Sequence, residues 1–158
     1  MTFLIAIIFF FASLTQAQEP RSAELWYQEG VRLCRSTSTN LDEALKAFDT
    51  ALILNPRLSA DVYKWRSWVR QKKGDMHGAL DDINQAITMN TRNGRLYAVR
   101  ADLRRQMHDL AEAIYDYAIA LQLAETDEDV KVYKILRDSC ITEQDSLVAS
   151  TKRSNKSR

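Results

Sequence analysis

Residues 60–89 read ADVYKWRSWVRQKKGDMHGALDDINQAITM and residues 94–123 read GRLYAVRADLRRQMHDLAEAIYDYAIALQL. Laid one over the other, they fall into a single register. Tyr63 recurs at Tyr97, Arg66 at Arg100, Arg70 at Arg104, Ala79 at Ala113, Asp82 at Asp116 and Ala86 at Ala120, always 34 residues on. Six matches at one offset mark an internal repeat, and a period of roughly 20–50 residues signals stacked supersecondary units. Upstream the pattern continues at a step of 35, with Ala44 before Ala79, Phe48 before Ile83 and Ala51 before Ala86.

Each unit holds two stretches with apolar residues spaced by three and four, separated by a break, so each predicts a helix hairpin. In unit one Trp26, Gly30 and Leu33 form the first stripe, Ser36–Asn40 interrupts it, and Leu41, Ala44, Leu45, Phe48, Ala51 and Leu52 form the second. Unit two runs Val62, Trp65 and Val69, a break at Gly74-Asp75, then Met76, Ala79, Leu80, Ile83, Ala86 and Ile87. Unit three runs Leu96, Val99 and Leu103, a break at His108-Asp109, then Leu110, Ala113, Ile114, Tyr117, Ala120 and Leu121. Nowhere does the period drop to two. The small residues Ala44, Ala79 and Ala113, and again Ala51, Ala86 and Ala120, let paired helices approach, while Phe48, Ile83 and Tyr117 fill the space between.

With Trp26, Gly30, Ala44, Phe48, Ala51 and Pro56 in place, unit one resembles a tetratricopeptide repeat, and the likeness extends over residues 23–125. It departs from that pattern in a two-residue insertion near Ser36–Asn40, in Ser67 and Ala101 at the family's glycine, and in Thr91 and Glu125 at its terminal proline. The resemblance implies an all-α, right-handed α-solenoid of three hairpins, at about 23–58, 59–92 and 93–125. After it, Thr126 with Asp127, Glu128 and Asp129 reads as a cap and acidic first turn. Val130, Tyr133, Leu136 and Cys140 then give a helix over 126–149 that covers the open end of the stack, as solenoid termini require. The remainder, 150–158, carries Lys152, Arg153, Lys156 and Arg158 without an apolar anchor and predicts a disordered tail.

Ahead of the repeats, Phe3–Leu14 is an almost unbroken apolar run, short of the roughly 20 residues that span a bilayer. Thr15 and Ala17 suit signal peptidase, so residues 1–17 read as a signal peptide cut after Ala17; without Lys or Arg before the run, an uncleaved anchor stays open. Export to a periplasm or secretion follows from the first reading, membrane anchorage from the second. Cys34 and Cys140, at opposite ends of the stack, read as separate thiols, because a disulfide needs Cα atoms within about 7 Å.

In composition the chain is mild: 158 residues, 22 basic and 21 acidic, 46% apolar, 4 Gly and 2 Pro. That is enough apolar content for one core and too little turn material for a many-stranded protein. A net charge of +1 gives no field that recommends nucleic acid. Phosphate-loop glycines, Cys-x-x-Cys, His-Glu-x-x-His and a nucleophile elbow are missing from the sequence. The expectation is therefore no enzyme, no cofactor and no metal, since His77 and His108 at the hairpin breaks fall short of a ligand set. Repetition of Asp82 and Asp116 with Arg66, Arg70, Arg100 and Arg104 points to structural ion pairs, worth little if exposed.

The family resemblance further implies that the first helix of each hairpin lines a concave groove for a peptide or partner helix. By register the groove residues are Tyr27, Val31 and Arg35, then Lys64, Trp68 and Lys72, then Arg95, Asp102 and Arg105. Aromatic and basic types of this kind dominate binding energies and suit a ligand with an apolar side chain and carboxylates. The family's carboxylate clamp is not preserved, since its positions hold Tyr27, Val31, Trp65, Arg95 and Val99. The expected role is a protein-interaction scaffold, with self-association through the apolar ends of the stack also open.

Overall fold

In the computed structural model the described residues are 22–36 and 40–156, and the apolar leader at 1–17 lies outside them. Seven helices follow in order among these residues: α1 Ala23–Arg35, α2 Leu41–Leu54, α3 Ala60–Lys72, α4 Met76–Met89, α5 Gly94–Gln106, α6 Leu110–Gln122 and α7 Asp127–Lys156. The first six pack as hairpins α1·α2, α3·α4 and α5·α6, joined through α2·α3 and α4·α5, with α7 laid on α6. This is a tetratricopeptide-type α-solenoid, and no strand occurs among the described residues.

Local chemistry sets the boundaries. The side chains of Ser22, Asn40, Asp75 and Asn93 accept hydrogen bonds from first-turn amides of α1, α2, α4 and α5, satisfying donors that a helix start leaves orphaned. Pro56 follows Asn55, whose extended backbone (φ −149°, ψ 95°) closes α2. Gly74 ends α3 at φ 85°, and His108 ends α5 at φ 62°. In both, the next residue's amide reaches back to the last turn, Asp75 to Arg70 and Asp109 to Arg104, each at 2.9 Å. The left-handed C-terminal cap thus recurs one repeat later with histidine where glycine is favoured.

Small residues fix the interhelix distance. Ala44, Ala51, Ala79, Ala86, Ala113 and Ala120 are all fully buried, and Phe48, Ile83 and Tyr117 fill the space between them. At Gly30 an added Cβ would lie 2.6 Å from the Phe48 ring, so the glycine is dictated by its neighbour. The registers of Ser67 and Ala101 tolerate larger residues, and Ser67 Oγ donates to the Ala79 carbonyl at 2.8 Å.

The repeated charges form a ladder on the side of α3 and α5 away from the residues that line the cleft described below. Arg66 grips Asp82 with Nε and Nη2 (3.0 and 2.6 Å) and reaches Asp49 of the preceding hairpin with Nη1 at 2.8 Å. Arg100 repeats this on Asp116 (2.9 and 2.7 Å), with Asn84 of the preceding hairpin at 2.9 Å. Arg70 and Arg104 add a second cation to each carboxylate, at 3.0 and 2.7 Å. Tyr63 and Tyr97 lie beneath Arg66 and Arg100, at 5.6 and 5.4 Å from ring centre to guanidinium. The ion pairs expected from the repeat thus form, and with Asp82 and Asp116 1% and 0% exposed they form out of the solvent that would weaken them. Burial pushes the Asp82 carboxyl above its usual range against the pull of Arg66. Arg66 and Arg100 tie consecutive hairpins together, because each reaches two of them at once, while Arg70 and Arg104 stay within their own hairpin.

One boundary changes: α7 runs on to Lys156, through the stretch expected to be a disordered tail. Its start is capped by Thr126 Oγ1, which accepts from the Asp129 amide and donates to the Asp129 carboxylate. Once nucleated and anchored through Tyr133, Leu136 and Cys140, the helix propagates at one hydrogen bond per added residue without further apolar contact. Hydroxyls of Thr142, Ser146, Ser150 and Thr151 satisfy backbone carbonyls along the way. Among the described residues no helix is long and apolar enough to cross a membrane.

Candidate functional site

The first helices of the second and third hairpins, α3 and α5, leave between them a cleft of about 550 Å³. Lys64, Trp65, Trp68 and Gln71 form one wall; Val99, Asp102 and Gln106 form the other. Residues at i, i+3, i+4 and i+7 share a helix face, so the cleft is a continuous strip of α3 facing a strip of α5. Trp65 and Trp68 meet edge to face, with ring centres 6.2 Å apart. Both rings also rest on the core that contains Phe48, Val62 and Val69. Core and cleft are therefore the two sides of the same indoles.

Cations stand over this aromatic floor. The Arg35 guanidinium lies 5.7 Å from the Trp65 ring centre, and Lys72 Nζ lies 5.7 Å from that of Trp68. Lys64 is held by Asp61 at 2.5 Å. On the far wall the Tyr117 hydroxyl donates to Asp102 Oδ1 at 2.5 Å. Burial, then this bond to a carboxylate, raises the Tyr117 pKa well above the ordinary phenol value, so the hydroxyl keeps its proton.

Of the nine residues expected by register, Lys64, Trp68 and Asp102 share the cleft, and Arg35 and Lys72 join it through the indole rings. Val31 is instead a core residue, 8% exposed, and Tyr27 packs its ring against Phe48 at 6.3 Å. Arg95 leaves the groove and approaches Asp129 of α7 at 3.8 Å. Asp129 belongs to the acidic first turn of α7, which draws Arg95 toward it. Arg105 is not among the residues that line the cleft, and its charge acts on Tyr117 of α6 and Cys140 of α7. Gln71 and Gln106 were not expected to line a groove, and Trp65 and Val99, at the family's clamp positions, were not among the nine. Trp65 and Val99 read as core because they belong to apolar stripes, and a stripe does not reveal which end of its arc is left uncovered.

Elsewhere, no group of three or more metal-ligating side chains gathers among the described residues. The thiols of Cys34 and Cys140 are free, and burial pushes both pKa values up.

No protein-family model matches the chain. Among solved structures it is similar to the Yersinia enterocolitica type III secretion chaperone SycD in complex with a peptide of the translocator YopD. There the TM-score is 0.69 at 18% identity, covering 77% of this chain and 93% of that one. It is also similar to the first repeat domain of Spaghetti (RPAP3) bound to the HSP90 peptide SRMEEVD, with TM-score 0.64, 19% identity, and 75% and 92% covered. The repeat domain of Arabidopsis OM64 superposes with TM-score 0.63 at 23% identity, covering 73% and 94%. These likenesses establish the tetratricopeptide-repeat fold.

Proposed function

We propose that this chain is a non-catalytic scaffold that holds a peptide or partner segment along the face carried by α3 and α5. The observation that carries the reading is the cleft itself. It has two half-buried indoles and Val99 for an apolar side chain, with cations and amide side chains around them to hold backbone and polar groups. Trp and Arg are the types that dominate interface energies, and rigid aromatic anchors lose little entropy on binding. Two structural neighbours support the class of ligand, since they were solved with peptides bound.

Affinity capture with the full chain tests this. Trp68→Ala should lose a partner that wild type and Tyr115→Ala both retain, Tyr115 being a 62% exposed aromatic on α6. Partners that persist on Trp68→Ala would move binding away from the cleft.

We further propose that the protein works in an exported compartment, a periplasm or the secretory space, on the strength of the Phe3–Leu14 run. N-terminal sequencing of the cell-derived protein decides between two forms. A start at Gln18 supports a free scaffold; a start at Met1 supports an adaptor tethered by its leader.

A further inference from the structure

Arg105 is the residue of the binding face whose chemistry is left incomplete. Its Nε is sealed from solvent and has no hydrogen-bond partner among the described residues, although the residue as a whole stays partly exposed. A buried donor left unpaired costs about 1–3 kcal/mol, so native proteins keep few of them. The nearest carboxylate on its own helix is Asp102, one turn back, and that group accepts from the Tyr117 hydroxyl. Arg105 Nε nevertheless does not reach that carboxylate.

Comparison across the repeats separates this arrangement from those that build the stack. Charges that serve the solenoid recur: Arg66 with Arg100, Arg70 with Arg104, Asp82 with Asp116. The Arg105 cluster does not recur. One repeat earlier, Asp102, Arg105 and Tyr117 are replaced by Trp68, Gln71 and Ile83. Gln71 lines the cleft between α3 and α5. Arg105, at the same register, stands outside that lining, and its charge acts on Tyr117 of α6 and Cys140 of α7. The other cations of the face are engaged, Lys64 by Asp61 and Lys72 and Arg35 by indole rings. Glu143 is the acidic side chain of α7 beside Cys140, and it makes no ion pair with Arg105.

We propose that the groove selects peptides carrying an Asp or Glu about three residues from the bulky apolar residue seated between Trp65, Trp68 and Val99, and that the carboxylate pairs with Arg105. This rests on the peptide-binding reading above and names its ligand. The spacing follows from geometry: neighbouring helices lie about 8–10 Å apart, and an extended chain advances about 3.3 Å per residue. A carboxylate is the acceptor that matches the guanidinium fork.

A random peptide library selected on the full chain tests it, with Arg105→Gln, Arg105→Lys and Trp68→Ala selected in parallel. Wild type should enrich an apolar residue with an acid about three positions away. Arg105→Gln should keep the apolar preference and lose the acidic one, while Arg105→Lys keeps both. For a selected peptide, Glu→Gln should weaken binding about 10-fold on wild type and by less than about 3-fold on Arg105→Gln. An apolar preference without an acidic one, or an acidic one unchanged in Arg105→Gln, overturns the inference and leaves the groove reading standing. A pool that Trp68→Ala shares with wild type, or no enrichment at all, overturns both.

Discussion

Consider replacing Asp116 with alanine. Its carboxylate is fully buried and takes two hydrogen bonds from Arg100, at 2.9 and 2.7 Å, and one from Arg104 at 2.7 Å. Removing one partner of a buried ion pair costs about 3–5 kcal/mol, because the other charge stays behind without compensation. The stranded arginines keep 17% and 19% side-chain exposure, and Arg100 keeps Asn84, so water and the amide recover part of the loss. The lower end, about 3 kcal/mol, is therefore expected. That is a large share of the roughly 5–15 kcal/mol that holds a domain together, and it corresponds to a fall in melting temperature of about 10 °C for a chain of this size. Urea unfolding followed by far-UV circular dichroism measures it. Asp42→Ala is the control: its pair with Lys73 is exposed, with 74% of the carboxylate side chain accessible, and the unfolding midpoint should not move. In the double-mutant cycle Asp116→Ala with Arg100→Ala, the two losses should fail to add by about 2 kcal/mol. If Asp116→Ala costs under about 1 kcal/mol, the ladder behaves as surface charge and its role in joining hairpins is refuted.

Three more outcomes rest on the same structure. His108→Gly should raise stability by up to about 1 kcal/mol and Gly74→Ala should lower it by about 1 kcal/mol, because both positions need a left-handed backbone that a Cβ disfavours; opposite signs in urea titrations would contradict the cap geometry. Cys140 is fully buried with its thiol pKa raised, so the thiolate is scarce as well as inaccessible; it should label with a thiol reagent at neutral pH only as fast as the chain unfolds, and labelling within the mixing time would contradict its packing against α6.

The repeat, the hairpins and the alanines that space them were legible in the residues, because an offset of 34 and helical apolar spacing are local properties of the chain. The cleft was half legible. Register put Lys64, Trp68 and Asp102 on the binding face, yet it could not say that Trp65 and Val99 would be shared between core and groove. That depends on how closely α3 and α5 approach. Nor could it say that Arg95 would turn to Asp129, since α7 lies outside the repeat and has no register to count from.

Charge shows the division plainly. Sequence paired the repeated arginines with the repeated aspartates, but an ion pair's worth is set by its dielectric surroundings, and burial is decided by elements brought together from distant positions. The same holds for Arg105. Its type and position are written in the chain; that its Nε would be buried without a partner, beside an Asp102 that accepts from Tyr117 of the facing helix, is decided by packing. Periodicity fixes which residues share a helix face, and tertiary structure alone fixes what stands opposite that face.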